Sequence, residues 1–73
     1  MKYYIILIEP SYPLLETIKV LKDMCGMGLH DGKKMCQSVP CVVKEVKSIE
    51  EAEWCIKYLT ENGAKSKYQY YEY

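Results

Sequence analysis

Seventy-three residues bound the chain to one domain, and a chain of that size buries only about 60% of its unfolded surface, leaving little core to give up to an internal active-site cavity. Ten lysines, no arginine and ten acidic residues give zero formal net charge, so no global field draws the chain to nucleic acid or membrane and no guanidinium is present to clamp phosphate or carboxylate. An apolar content of 49% with 27% charged residues fits a globular fold rather than a disordered one.

Residues 3–8, Tyr-Tyr-Ile-Ile-Leu-Ile, read as a strand that Pro10 ends. The run is apolar on both parities, which suits a central strand. It is too short for the apolar region of a secretion signal and is followed by Glu9-Pro10. No run approaches the roughly 18 apolar residues of a membrane span. Without a secretion signal, Cys25, Cys36, Cys41 and Cys55 read as reduced thiols of a cytoplasmic protein. Residues 9–12 read as a loop.

Pro13 is placed as the first residue of a helix, where its missing N–H costs nothing. That helix runs to about Cys25, with Leu14, Thr17, Leu21 and Met24 as its buried stripe. Leu15 and Ile18 are then in excess, beside Lys19 and Lys22 at helical spacing. Gly26-Met27-Gly28 breaks the helix. A second helix over residues 29–38 is expected to bury Leu29, Met35 and Cys36 until Pro40 stops it. Residues 41–46 read as a short strand with Val42 and Val46 on one face.

Ser48-Ile49-Glu50-Glu51 has the form of a capping box opening a third helix. Its buried face is Ala52, Cys55, Ile56 and Leu59, and Gly63 is the left-handed residue after its end. Residues 64–71 make a last strand, with Ala64, Ser66, Tyr68 and Tyr70 on one face. The order is β-α-α-β-α-β, an α/β (α+β) domain over residues 1–73 in which three helices cover one face of a three-stranded antiparallel sheet.

No catalytic set or cofactor site emerges. The cysteine spacings contain no C-x-x-C and do not match a zinc site. His30 is the only histidine available as a base, and Cys25 lies at a helix end where the dipole raises its pKa. Glu50, Glu51 and Glu53 serve capping and the helix dipole. Gly26-x-Gly28 follows a helix rather than a strand and lacks a third glycine, so it does not read as a phosphate loop. It reads as a tight turn that leaves backbone bare for a protein partner. Exposed apolar residues ringed by lysines mark an interface. Leu15, Ile18 and Leu29 would lose water against an apolar groove while Lys19, Lys22 and Lys33 steer an acidic partner. The tyrosines cluster at the two ends of the chain, where antiparallel cross-strand pairing accounts for them better than base stacking. The last strand is expected at a sheet edge, open to weak pairing with a second copy.

With Ile18-Lys19, Gly26-x-Gly28-Leu29, Lys33, Pro40, Lys44-Glu45, Ser48, Glu51-Ala52-Glu53, Leu59 and Gly63-Ala64 at these spacings, the chain resembles the C-terminal domain of the bacterial ribosomal stalk protein over residues 2–69. The resemblance implies a compact domain without catalysis of its own. It implies recruitment of translational GTPases, elongation factors Tu and G among them, through the first two helices and the glycine turn. Carried over by position, that surface is Leu15, Ile18, Lys19, Lys22, Gly26, Gly28, Leu29 and Lys33. Three departures stand out. Lys22 occupies a position where the family usually has arginine, Leu14 one where it often has lysine, and His30-Asp31-Gly32 replaces a Lys-Glu-Ala type sequence. The chain starts at the domain itself, without the family's dimerisation helices and hinge, and is therefore not expected to act as a stalk protein alone. A second resemblance is to the adaptor of the bacterial Clp protease, which has the same fold. It rests on Ile5-Ile6-Leu7, Ser11-Tyr12-Pro13 and Glu16, with Glu9 as the residue to attract a peptide amine. A small module repurposed for an unrelated protein partner is the other alternative.

Overall fold

The computed structural model describes residues 2–71. Its elements are β1 (Lys2–Glu9), α1 (Leu15–Cys25), α2 (Leu29–Gln37), β2 (Cys41–Val46), α3 (Ile49–Glu61) and β3 (Lys65–Tyr71), in the expected order. β1 is the central strand of an antiparallel sheet ordered β2-β1-β3. Ile5 and Leu7 are fully buried beneath the helices, while Tyr4 and Ile6 on the other parity are half-buried. β3 is an edge strand, and its tyrosines do pair with those of β1. The Tyr3 ring packs at 5.8 Å from Tyr68 and 5.3 Å from Tyr70, and Tyr4 lies 4.5 Å from Tyr71, centroid to centroid. Glu72 and Tyr73 lie outside the described residues.

The core gathers Val20, Leu21 and Met24 of α1, Cys36 of α2, Val43 and Val46 of β2, and Ala52, Cys55 and Leu59 of α3 around Ile5 and Leu7. The expected α1 stripe is buried at Thr17, Leu21 and Met24, with Val20 added and Leu14 half-buried at the helix start. Ala52, Cys55 and Leu59 of α3 are buried as expected, and Ile56 half-buried. The Glu51 N–H donates to the Ser48 hydroxyl oxygen at 3.2 Å, the first half of the capping box. Gly63 follows the helix in the left-handed region, with φ 85°.

Four local expectations need correction. α1 starts at Leu15, not at Pro13. Ser11 is the reason: its buried hydroxyl oxygen accepts the Thr17 N–H at 3.1 Å, so the cap of the first turn arrives from a residue outside the helix. The same hydroxyl donates to the Pro13 carbonyl at 2.9 Å, and Thr17 Oγ1 accepts the Ser11 N–H at 2.7 Å. Val42 does not share a face with Val46. The register shifts between Ile5, opposite Lys44, and Ile6, opposite Val42. Val43 is the extra residue of this bulge, so Val43 and Val46 point into the core and Val42 is 48% exposed. Glu9 belongs to β1 rather than to the following loop, and its register partner is Lys65. Leu29 is 60% exposed rather than buried. It is the first residue of α2, and Gly32 and Cys36 take the inward positions.

Candidate functional site

The surface built by α1, the glycine turn and α2 starts from how the two helices are joined. Gly26 has φ 71°, a left-handed conformation that glycine adopts without strain. Its N–H donates to the Lys22 carbonyl at 2.9 Å and closes α1. Met27 then turns inward, half-buried against the core. Gly28 is extended, with φ −71° and ψ 166°, and caps the start of α2. A Cβ on Gly28 would meet nothing within 4 Å. Neither its dihedrals nor its surroundings require glycine.

Two contacts fix the helices around this turn. Gly32 of α2 is buried, and a Cβ there would lie 3.2 Å from Ile18 Cγ2. The bare backbone thus lets α2 settle directly on Ile18. Lys44 of β2 reaches back to donate from Nζ to the Met24 carbonyl at 2.7 Å. This places a cation at the negative end of the α1 dipole, one residue before Cys25.

The sequence-predicted residues fall into two groups. Leu15 and Leu29 are 49% and 60% exposed, and Lys19, Lys22, Lys33, Gly26 and Gly28 are exposed as well. Leu15, Lys19 and Lys22 share the outward side of α1 by helical spacing, and Leu29 and Lys33 stand one turn apart on α2. Ile18 differs: it is half-buried, wedged against Gly32 at the α1–α2 seam. The arrangement is an apolar and basic surface, and no pocket opens among the described residues.

The thiols have other surroundings. Burial pushes the Cys25 thiol above its ordinary pKa, with Lys44 opposing and Cys55 adding to the rise. Burial also raises Cys36, Cys41 and Cys55. For Cys25 desolvation is the leading cause. All four are free thiols, and no group of three or more His, Cys, Asp or Glu side chains suited to a metal ion occurs among the described residues. Glu9, the residue that an adaptor would use toward an amine, has Oε2 at 3.9 Å from Lys65 Nζ on the surface.

Three contributors were not foreseen from the sequence. Lys44 was visible as the lone cation of a short strand, and a glycine inside a helical pattern such as Gly32 signals close packing. The Ser11–Thr17 pair carries no spacing signature, because its partners lie six residues apart across an irregular turn.

Residues 4–69 match the family model of the ribosomal protein L7/L12 C-terminal domain. Among curated proteins, the chain is similar to the large ribosomal subunit protein bL12 of Pseudomonas paraeruginosa, with 41% identity over 64 residues, covering 88% of this chain and 52% of the relative. The bL12 of Nitratiruptor sp. is 36% identical over 64 residues, covering 88% and 50% of the two chains. That of Coxiella burnetii is 50% identical over 49 residues, covering 67% and 39%. The chain spans about half the length of the curated relatives it matches. Among the described residues no helix is long and apolar enough to cross a membrane.

Proposed function

The chain belongs to the ribosomal protein L7/L12 C-terminal domain family, and on that premise we propose that it is a non-enzymatic cytoplasmic module that binds translational GTPases through Leu15, Ile18, Lys19, Lys22, Gly26, Gly28, Leu29 and Lys33. The observation that carries this reading is the exposure of Leu15 and Leu29 on either side of the turn, with Lys19, Lys22 and Lys33 around them. A small domain with a marginal core gains nothing in stability from two exposed leucines. It gains affinity when a partner removes them from water, at about 25 cal/mol per Å² of apolar surface. The lysines act earlier, drawing an acidic surface into encounter and disfavouring a basic one. Gly28 lets the partner approach the start of α2 without meeting a side chain. A contact of this extent is transient and buries less than about 1,200 Å².

The test is an NMR titration of the labelled domain with elongation factor G in its GTP state, at low and high salt. Shifts at residues 15–22 and 26–33 that weaken with salt support the proposal. No shifts at near-millimolar factor, or shifts centred on Glu9, would overturn it, the latter in favour of an adaptor-like use of the fold.

A further inference from the structure

Trp54 is the single tryptophan of the chain, and on the surface of α3 it is 55% exposed. Its ring lies 5.3 Å from that of Tyr58, one turn later, at an interplanar angle of 48°. The Tyr58 hydroxyl donates to Asp23 Oδ2 of α1 at 3.0 Å. That bond holds the Tyr58 ring over the seam between α1 and α3 and keeps the aromatic pair from folding away into solvent. Nothing in the core uses the Trp54 ring.

The charges around the pair are unequal. Helical spacing sets Glu50 and Glu51 one turn before Trp54, with Glu51 two turns before Tyr58 on the flank toward α1, where Asp23 stands. Lys57 is the one cation of α3, one turn after Trp54 on the flank away from α1, and Lys19 of α1 stands one turn before Asp23. The seam therefore combines two π faces with the carboxylates of Asp23 and Glu51 on one side and Glu50 at its end. A cation over an aromatic face is attracted by the ring quadrupole, most strongly over tryptophan. A planar guanidinium stacks on such a face and presents N–H groups at its edge to a carboxylate. A second copy of this chain cannot supply that group, because the chain has no arginine.

We propose that the α1–α3 seam, formed by Trp54 and Tyr58 beside Asp23 and Glu51, docks an arginine side chain of a basic protein segment. The guanidinium lies over Trp54 and Tyr58 and its edge donates to Asp23 and Glu51. This surface centres on the other flank of α1 from the one proposed for translational GTPases, since Asp23 lies across α1 from Ile18, which faces Gly32, and the two surfaces meet at Lys19. One domain then holds an apolar–basic surface and an aromatic–acidic one, suited to partners of opposite charge.

Trp54 is its own reporter. The intact chain is titrated with an arginine-rich peptide of otherwise Gly and Ser, with a lysine-rich peptide of the same length and with an acidic one, following tryptophan emission and amide shifts. The expected result is a saturable change with the arginine peptide, at least fivefold weaker binding of the lysine peptide and none of the acidic peptide. Trp54→Ala, followed by amide shifts, weakens the arginine peptide about fivefold, the factor that a cation–π contact of about 1 kcal/mol supplies. Asp23→Asn and Glu51→Gln each weaken it without changing the circular dichroism spectrum. Equal binding of both basic peptides, undiminished binding by Trp54→Ala, or no saturable change would each overturn the proposal. Amide shifts at residues 26–33 stay still in this experiment, so its outcome is separable from that of the GTPase titration.

Discussion

Lys44 Nζ stands 2.7 Å from the Met24 carbonyl oxygen and so joins the middle of β2 to the last turn of α1. The bond satisfies a carbonyl that the helix itself leaves without a partner, and does so next to the glycine turn. Lys44→Met keeps most of the side-chain volume and removes the ammonium. It is expected to cost about 1–2 kcal/mol, lowering Tm by about 5–10 °C in a domain of this size. Amide exchange at Gly26 and Met27 should speed up more than in α3. An unchanged melting curve would show that water replaces the lysine at no cost.

The two glycines of the turn separate conformation from access. Gly26 has φ 71°, so Gly26→Ala is expected to destabilise the fold by about 1–2 kcal/mol. Gly28 has φ −71° and open space around a Cβ, and Gly28→Ala should leave stability within about 0.5 kcal/mol. If Gly28→Ala nevertheless weakens factor binding in the titration, the bare backbone is a contact. Equal binding of wild type and Gly28→Ala would remove Gly28 from the proposed surface.

The apolar residues of the same surface should also divide. Leu15→Ser and Leu29→Ser alter exposed side chains, so chemical unfolding should move by less than about 0.5 kcal/mol. Affinity for the factor should fall about tenfold for each, the equivalent of one partly desolvated leucine. Ile18→Ala opens the seam at Gly32 and should cost about 1–2 kcal/mol of stability as well as affinity. Stability losses of the same size at Leu15 and Leu29 would mean that these leucines serve the fold.

How far the sequence could be read varies with the range of the interaction. Strand and helix order followed from local periodicity, and the Ser48 cap and Gly63 turn from chemistry within a few residues. Val42 and Val43 exchanged faces because the bulge opposite Ile5 and Ile6 is set by the pairing of two strands, which a two-residue alternation cannot register. Leu29 reads as core because it opens an apolar pattern, whereas the extended Gly28 swings that position outward and brings Met27 in. Leu15 and the lysines of α1 were legible as a surplus over one buried stripe. Spacing alone makes Ile18 part of that surplus, and only Gly32, fourteen positions away, takes it out of solvent.

Ser11 and Thr17 supply what Leu14, at the cap position of α1, cannot. Their mutual bonds at 2.7–3.1 Å are buried, so Ser11→Ala strands the Thr17 N–H away from water and leaves the Thr17 hydroxyl only the backbone N–H of position 11. The expected cost is about 2–3 kcal/mol, a large share of the stability of a domain this small. Thr17→Ser retains the oxygen and should cost less than Thr17→Val, whose extra methyl cannot accept the Ser11 N–H. Denaturant unfolding of the three variants decides the point, and a Thr17→Val protein as stable as Thr17→Ser would rule out the bond as the source.

Alkaline pH should weaken the fold through the thiols. Burial raises all four cysteine pKa values above the ordinary value of 9.0. The folded state therefore holds its thiol protons to higher pH than the unfolded chain does. Protons favour the folded form in that interval, so the contribution is complete below about pH 9 and is lost as pH rises through the higher folded values. Urea midpoints measured at pH 8 and at pH 10 should fall with pH. In a variant with Cys36 and Cys55, the two buried thiols, replaced by alanine and valine the fall should be smaller. Alkylation of the native chain at pH 7.5 should be slow at Cys36 and Cys55 and faster, though still below the rate of a free thiol, at Cys25 and Cys41, because the protonated thiol is a poor nucleophile and only the latter two are partly exposed. Rapid, equal labelling of all four would contradict both the burial and the direction of the shifts.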